Sequence, residues 1–568
     1  MGGATNFPTT LDTNTELYDV IDGQHYPLAA HHNNPKEAIK AIEAKVGVNS
    51  SAVTTSHDYL IQHSAKTVTK AVAANDSSAE GKKYADWTCD GVDDQYEINL
   101  ALAALPSSGG WVLLLEGTYN ISNYVTVTVS STSVIKLSGL GKVLWNVAIP
   151  GDATNVGALT ITTSGTTEIY IENIDFYYNA VPNASRSFCG VRITGTSKKI
   201  ILEDTISRNF PSSGIRCDGP STLFQAIRCE CYDNKRHGLC LLGPGLVYEV
   251  YGGAYKNNGE YILGVPTYGY NILIAEKDVG LSPQKATVRS VDAGEAIFAG
   301  IEVVARQVLV DDNRVISFQN RGIYTYSQVS GGPGGIVDNI IEDSKVTNNV
   351  IDGYGMLGDV GEVEAALLIG AGGDRTFKAN FLVMGNTFRR MNVQPTIKSI
   401  YLWQEDNYTQ HLSVEICHNT FDRGSGSGAN VILIGATSGN PGIRRLHVHD
   451  NVYEDVLGIV FSQAIIRVHT ALGTGYSAEH VKVHDEHFAV PATSSRSAAL
   501  EIGTPKTGTI EAEVSDNKLV GPFTTPWSLS AGVTARYRDN IVNSKPGYTK
   551  GSTTLLSGGT TKAVVFAA

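Results

Sequence analysis

The chain has 568 residues, of which 59 are Gly, 19 Pro and 7 Cys; 18% are charged and the formal net charge is −12. Average chains carry roughly 25% charged residues and about 7% Gly, so this one is Gly-rich and charge-poor, which excludes general disorder. Its glycines keep no three-residue period, which excludes collagen, and no stretch approaches the ~20 apolar residues of a membrane span.

The acidic balance and the lack of a basic stripe argue against nucleic acid as a partner. An odd number of cysteines in so long a chain is not a disulfide framework. Cys229 and Cys231 share a strand face and are expected to be buried rather than metal-bound. The start, Met1-Gly2-Gly3-Ala4-Thr5, has no charged n-region or apolar h-region, so no Sec-type signal is read there.

Residues 1–65 are expected to be an attachment or oligomerisation segment, extended apart from one short helix. Asn34 can cap that helix, Pro35 suits its first turn, and Ile39, Ile42 and Val46 are spaced three and four. So narrow a seam fits copies of itself in a coiled coil or packing on its own chain. Residues 66–84, with Ala74-Asn75-Asp76-Ser77-Ser78-Ala79-Glu80-Gly81, read as a linker. Asp94 and Glu97 then have capping-box spacing at the start of a short helix. Trp111-Val112-Leu113-Leu114-Leu115 reads as a buried strand before the turn Glu116-Gly117-Thr118-Tyr119.

From about residue 160 the pattern repeats. Gly-apolar-x-apolar recurs at Gly190, Gly214, Gly238, Gly269, Gly300 and Gly322, and apolar-x-x-Asn-x-apolar recurs around Asn313, Asn349, Asn386, Asn419, Asn451, Asn517 and Asn540. Glu486 takes the Asn place once. Periods of this length with β-type alternation predict one solenoid coil per repeat, with Asn in a turn. The leucine pattern of a leucine-rich repeat and the signature of a propeller blade are both missing. The expected fold is an all-β solenoid over 85–545, with an end segment at 546–568 closing the open edge; that it is a right-handed parallel β-helix is implied by the resemblance that follows.

The stretch 86–120, from Asp86-Trp87-Thr88-Cys89-Asp90-Gly91-Val92-Asp93-Asp94 to Glu116-Gly117-Thr118-Tyr119, resembles the N-terminal opening of pectate-lyase-like right-handed parallel β-helices. Asn6-Phe7-Pro8-Thr9-Thr10-Leu11-Asp12 and the run at 37–48 are similar to the N-termini of bacteriophage tail fibres and tailspikes. The resemblance implies a virion-associated depolymerase, a homotrimer, that binds and cleaves bacterial surface polysaccharide by hydrolysis or β-elimination. It also implies an N-terminus that meets other virion proteins and a virion or extracellular location. A non-catalytic receptor-binding fibre and a free polysaccharide-degrading enzyme are the alternatives, since this fold hosts all three.

If Val191, Ile215, Leu239, Tyr270, Ile301 and Ile323 point inward, the next residues form an outward column of Arg192, Arg216, Cys240, Asn271, Glu302 and Tyr324. Two residues further stand Asp218 and Tyr326. The segments Lys256–Glu260 and Ser290–Glu295 align one repeat apart, so Glu260 and Glu295 are expected to stack at one rung spacing and, with Glu302, to form the catalytic carboxylates. Arg216, Asp218, His237, Asn271, Tyr324, Tyr326 and Trp403 are the expected substrate contacts. For a lyase, Arg192, Arg216, His237 and Tyr324 would supply cation, base and acid; alternatively His237 merely closes a turn. His447 and His449 lie on one strand face with no third ligand at metal spacing, so no metal and no cofactor are expected.

Overall fold

The computed structural model describes Ile39, Lys40 and Ile42, and the chain from Thr69 to Val564 apart from 130–131, 150–155, 181–187, 244, 263–264, 268, 276–282, 330–340, 354–364, 374–377, 392–397, 405–410, 423–429, 437–442, 455–459, 462, 469–479, 492–494, 504–509, 531–532, 544–552 and 558–559. The chain divides into two compact units, residues 1–69 with 109–111, and residues 70–108 with 112–568. In the first, the described residues Ile39, Lys40 and Ile42 are helical, and both isoleucines are exposed. The rest of the expected attachment segment lies outside the described residues.

The second unit is a parallel β-helix. Three long sheets of 17, 15 and 14 strands run along it. One coil reads Ser221–Ile227 in sheet 1, Glu230–Tyr232 in sheet 2 and Leu239–Leu242 in sheet 3, and Val247–Tyr251 then returns to sheet 1 beside its starting strand. Parallel crossovers of this kind are right-handed. Alternation places one face of each strand inside, as in Val125–Val129, where Val125, Val127 and Val129 are buried and the threonines between them exposed. These inward residues form one continuous core from Val72 to Val533. In sheet 2 the interior rings of Phe388, Phe421, Tyr453 and Phe488 stack at 4.9, 4.8 and 4.8 Å, which is the rung spacing itself.

The asparagine repeat marks the corner between sheets 1 and 2. At each such corner one residue takes a left-handed conformation, for example Asp312, Asn348, Asp450, Asp516 and Asp539, with φ between 51° and 57°. Asn and Asp tolerate this region better than most side chains. The following Asn points inward. Asn313 Nδ2 donates to Asn349 Oδ1, Asn349 to Asn386, Asn386 to Asn419 and Asn419 to Asn451, each at 2.9 Å. The same oxygens accept backbone N–H groups, so every buried amide of this ladder is satisfied. Glu486 continues it by accepting from Asn451 Nδ2 at 2.8 Å, and Asn517 donates to Asn540 at 2.9 Å. Burial pushes the Glu486 carboxyl up to about 8 against the hydrogen bond from Asn451. In earlier coils Thr205 and Cys229 occupy the corresponding corner position, each donating to a carbonyl of the coil before.

Two details at the opening differ from expectation. The stretch 66–84 carries a strand, Thr69–Ala73, and a helix, Ala79–Tyr84. Two of its polar side chains tie it to the first coil: Thr118 N–H donates to Asp76 Oδ1 and Ser77 Oγ to the Glu116 carbonyl. The helix Gln95–Ala103 is present, but Asp94 does not cap it. The buried carboxylate instead accepts from Gly91 N–H at 2.9 Å and Asn120 N–H at 2.7 Å, tying the turn to the first coil. Ile98, Ala101 and Leu102 of the helix join the core. At the other end the described backbone is an antiparallel hairpin, Thr553–Ser557 with Thr560–Val564.

Candidate functional site

Sheet 3 carries most of the expected site residues. Its register aligns Val191, Ile215, Leu239, Ile272, Ile301 and Ile323. The inward residue at the fourth coil is therefore Ile272 and not Tyr270, and the outward column runs Arg192, Arg216, Cys240, Leu273, Glu302, Tyr324. Asn271 is not a surface residue. It is fully buried, accepts from Asn258 Nδ2 at 2.8 Å and donates to the Gly294 carbonyl at 2.7 Å. Asn234 donates to Asn258 in turn, so a second, shorter ladder fills the corner between sheets 2 and 3. The repeat misleads here because Asn271 itself stands where the neighbouring coils have Gly238 and Gly300.

The face so formed is partly closed. Cys240, Tyr270, Leu273 and Ala299 make a buried apolar cluster on it. Asp218 holds Arg192 Nη2 and Arg216 Nε, both at 2.7 Å, with the Asp218 side chain only 2% exposed. The two guanidinium groups are thus already charge-paired. His237 is buried; its Nδ1 faces the Tyr270 N–H at 3.4 Å and its ring lies 5.3 Å from that of Tyr270. Burial, with Arg236 and Arg216 adding to it, holds His237 well below the ordinary imidazole value, so it is a neutral ring packed on the next coil. Glu302 is half-buried between Leu273 and Tyr324, and the Arg321 guanidinium stacks 4.6 Å from the Tyr324 ring. The backbone of Tyr326 pairs with Val304 and Gly370, and that of Trp403 with Gly370 and Gly435; their side chains lie outside the described residues.

The expected stack of Glu260 on Glu295 does not form. Sheet 2 pairs Lys256 with Gly294, which brings Glu295 level with Asn257. Glu260 opens an antiparallel hairpin, Glu260–Ile262 with Val265–Thr267, inserted into this coil, and its side chain lies outside the described residues. Glu295 is exposed in a left-handed turn with φ 55°.

That turn position repeats along the corner between sheets 2 and 3. Asn209, Asp233, Asn257, Glu295 and Ser317 all have φ between 52° and 66° and stand on successive coils. Each backbone N–H bonds the next coil, as from Asp233 to the Lys256 carbonyl and from Asn257 to the Gly294 carbonyl. Asn257 Nδ2 donates to Asp233 Oδ1 at 2.5 Å. Beside this row lies a pocket of about 390 Å³ lined by Tyr177, Asn179, Asn209, Asp233, Lys235 and Asn257 among others. Arg208 stacks 4.5 Å from the Tyr177 ring and is held by Asp175 at 2.7 Å. The pocket offers an aromatic ring, amides, a carboxylate and an ammonium group, a set suited to a hydroxyl-rich ring. Sequence reasoning missed Asp233, Lys235 and Tyr177. The signal was the Asn or Asp directly after each of the four sheet 2 strands Asp175–Tyr178, Ile206–Arg208, Glu230–Tyr232 and Ala254–Lys256.

On the outer face of sheet 1, His447 and His449 do gain company from neighbouring coils, contrary to expectation. His449 Nε2 lies 3.0 Å from Glu415 Oε1, and His447 Nε2 lies 2.6 Å from His484 Nε2. Burial lowers His447 to about 4, with His449 and His484 adding to the effect. Burial also disfavours charge on His449, but the Asp450 and Glu415 carboxylates outweigh it and raise that ring above its ordinary value.

No family model matches this sequence and no curated protein matches it. Among solved structures the chain is similar to the Dettilon tailspike protein, at 14% identity and TM-score 0.34 over 67% of this chain and 70% of that one. It is similar to the A-module of the Azotobacter vinelandii mannuronan C-5 epimerase AlgE6, at 11% identity and TM-score 0.33 over 78% and 96%. It is also similar to a GH136 lacto-N-biosidase from Eubacterium ramulus, at 11% identity and TM-score 0.33 over 91% and 72%.

Proposed function

We propose that this chain binds a polysaccharide along the corner between sheets 2 and 3 and hydrolyses its glycosidic bonds there. The observation that carries this reading is the turn row itself, with Asp233 in the pocket and Glu295 two coils further along. Two rungs are about 9.6 Å, close to the ~6.5–9.5 Å between the acid and base of inverting glycosidases. One carboxyl would protonate the leaving oxygen while the other activates a water on the opposite face of the sugar. Tyr177 and Lys235 would hold the ring at the pocket end.

Elimination is less well supported. Arg192 and Arg216 are both held by the one Asp218 carboxylate, and His237 is buried away from the surface. The setting we propose is a virion fibre or a free extracellular enzyme, assembled as a trimer through the exposed Ile39 and Ile42 seam.

Purified glycans incubated with the protein and with Asp233→Asn, Glu295→Gln and Glu302→Gln test this. Loss of new reducing ends in the first two supports the turn row. Loss only in Glu302→Gln moves the chemistry to sheet 3. Absorbance near 235 nm would replace hydrolysis by elimination. Binding without new reducing ends, abolished by Tyr177→Ala, would make the protein a receptor-binding fibre.

A further inference from the structure

The outer face of sheet 1 holds a donor cluster that the proposed activity does not use. Strands His411–Cys417, Ile443–His449 and His480–His484 are adjacent rungs. Val414, Ile416, Leu446, Val448, Val481 and Val483 are buried on their inner face. Alternation therefore turns Glu415, His447, His449, Lys482 and His484 outward. Register sets Glu415 beside His447 and His449 beside His484.

Three donor residues converge there, and a fourth stands beside one of them. The ligand atoms of Glu415, His447 and His449 all lie within 4.8 Å of one another. His484 Nε2 is 2.6 Å from His447 Nε2. The outer ring nitrogens are fixed as well: His449 Nδ1 lies 2.7 Å from Asp450 Oδ2, and His484 Nδ1 lies 2.6 Å from Asp485 Oδ2. A carboxylate on Nδ1 sets the tautomer that leaves Nε2 free to bind metal and strengthens it as a ligand. Asp450 and Asp485 are the left-handed residues of the sheet 1–sheet 2 corner, at φ 56° and 53°. The turn that aims the next residue into the ladder thus also delivers the supporting carboxylate.

The three imidazoles are packed tightly. The rings of His447 and His449 are 4.3 Å apart, and those of His449 and His484 are stacked at 5.0 Å. Lys482 pairs in register with His447, and the His418 ring meets His449 edge-on at 5.9 Å. The side chains of His449 and His484 are only 14% and 17% exposed. Crowding of this kind disfavours several charged rings, and a shared cation requires one ring of the stacked His449–His484 pair to turn toward it.

We infer that Glu415, His447, His449 and His484 form a binding site for a divalent transition metal, zinc before others, which clips three successive coils together. Three imidazole nitrogens and one carboxylate oxygen match zinc ligand chemistry. Zn–N bonds of about 2.0–2.1 Å require the 2.6 Å nitrogen pair to open only to roughly 3.3 Å. The site lies on sheet 1, whereas the pocket and turn row lie between sheets 2 and 3, so its role is to hold coils.

The test uses the full chain, stripped with a chelator, dialysed and titrated with zinc chloride by calorimetry, with Co²⁺ absorption as a second probe. One zinc per chain is expected, together with a rise in the thermal midpoint that the chelator reverses. His447→Ala and His484→Ala should each weaken zinc binding by about tenfold or more, and Asp485→Asn by about tenfold through His484. His480→Ala, an exposed histidine on the same face, should leave binding unchanged. Circular dichroism checks that each variant folds, and His447→Gln replaces the alanine variant if it does not. Absence of zinc binding, or unchanged binding in a His447→Ala/His484→Ala double variant, would overturn the inference and leave a hydrogen-bonded histidine cluster only.

Discussion

Asn451 Nδ2 donates to Glu486 Oε1 at 2.8 Å, so a carboxyl group serves as one link of an otherwise amide ladder. The Asn451 backbone N–H shares the same oxygen, and Glu486 N–H reaches Asn517 Oδ1 at 3.0 Å. Glu486→Leu removes the acceptor of two buried donors and should cost about 1–3 kcal/mol for each group left unpaired. Glu486→Asn restores the repeat and should match or exceed the parent protein. Chemical denaturation of the three proteins at neutral pH measures the difference; equal midpoints would mean that the ladder contributes nothing here.

The Asp218 clamp makes a second case. Asp218→Ala leaves the buried Arg192 and the half-buried Arg216 without their shared anion. Breaking a buried pair this way costs about 3–5 kcal/mol. The thermal midpoint should fall by several degrees whether or not the residue meets substrate. Asp218 is therefore expected to behave as a positioning residue, and any activity loss needs a matched stability measurement.

Stability should fall in acid through His237. Its folded value is depressed, so between that value and the unfolded value of about 6.5 the unfolded chain binds the proton and the native one does not. The contribution is fully present above about 6.5 and is lost progressively as pH falls below it. His237→Gln should flatten that part of the denaturation profile between pH 7.5 and 5. An unchanged slope would show that other groups carry it.

The seven cysteines are all free and buried. Burial pushes Cys217, Cys229 and Cys240 up to about 12 and Cys417 up to about 11. Since the thiolate is the reactive form, a thiol reagent should label almost none in the native protein and all seven after denaturation. Rapid native labelling of any one would place that residue on a surface or in a locally opening coil.

The sequence by itself determined the coil. Alternating apolar residues, a glycine at several of the sheet 3 strands and an Asn at most corners from Asn313 onward are local requirements, met within one repeat and so visible in it. The Asn313-to-Asn540 series was legible because every member obeys the same left-handed turn and the same inward bond. The site was not legible to the same degree, because it depends on which residue of one coil lies over which residue of the next. A two-residue slip at Tyr270 exchanged Asn271 for Leu273, and the sheet 2 register set Glu295 level with Asn257 and not with Glu260. Glu415 and His484 stand more than thirty residues from His447 in sequence and one rung from it in space. Insertions of variable length between coils erase such pairings from the linear pattern, and only the stacked backbone hydrogen bonds restore them.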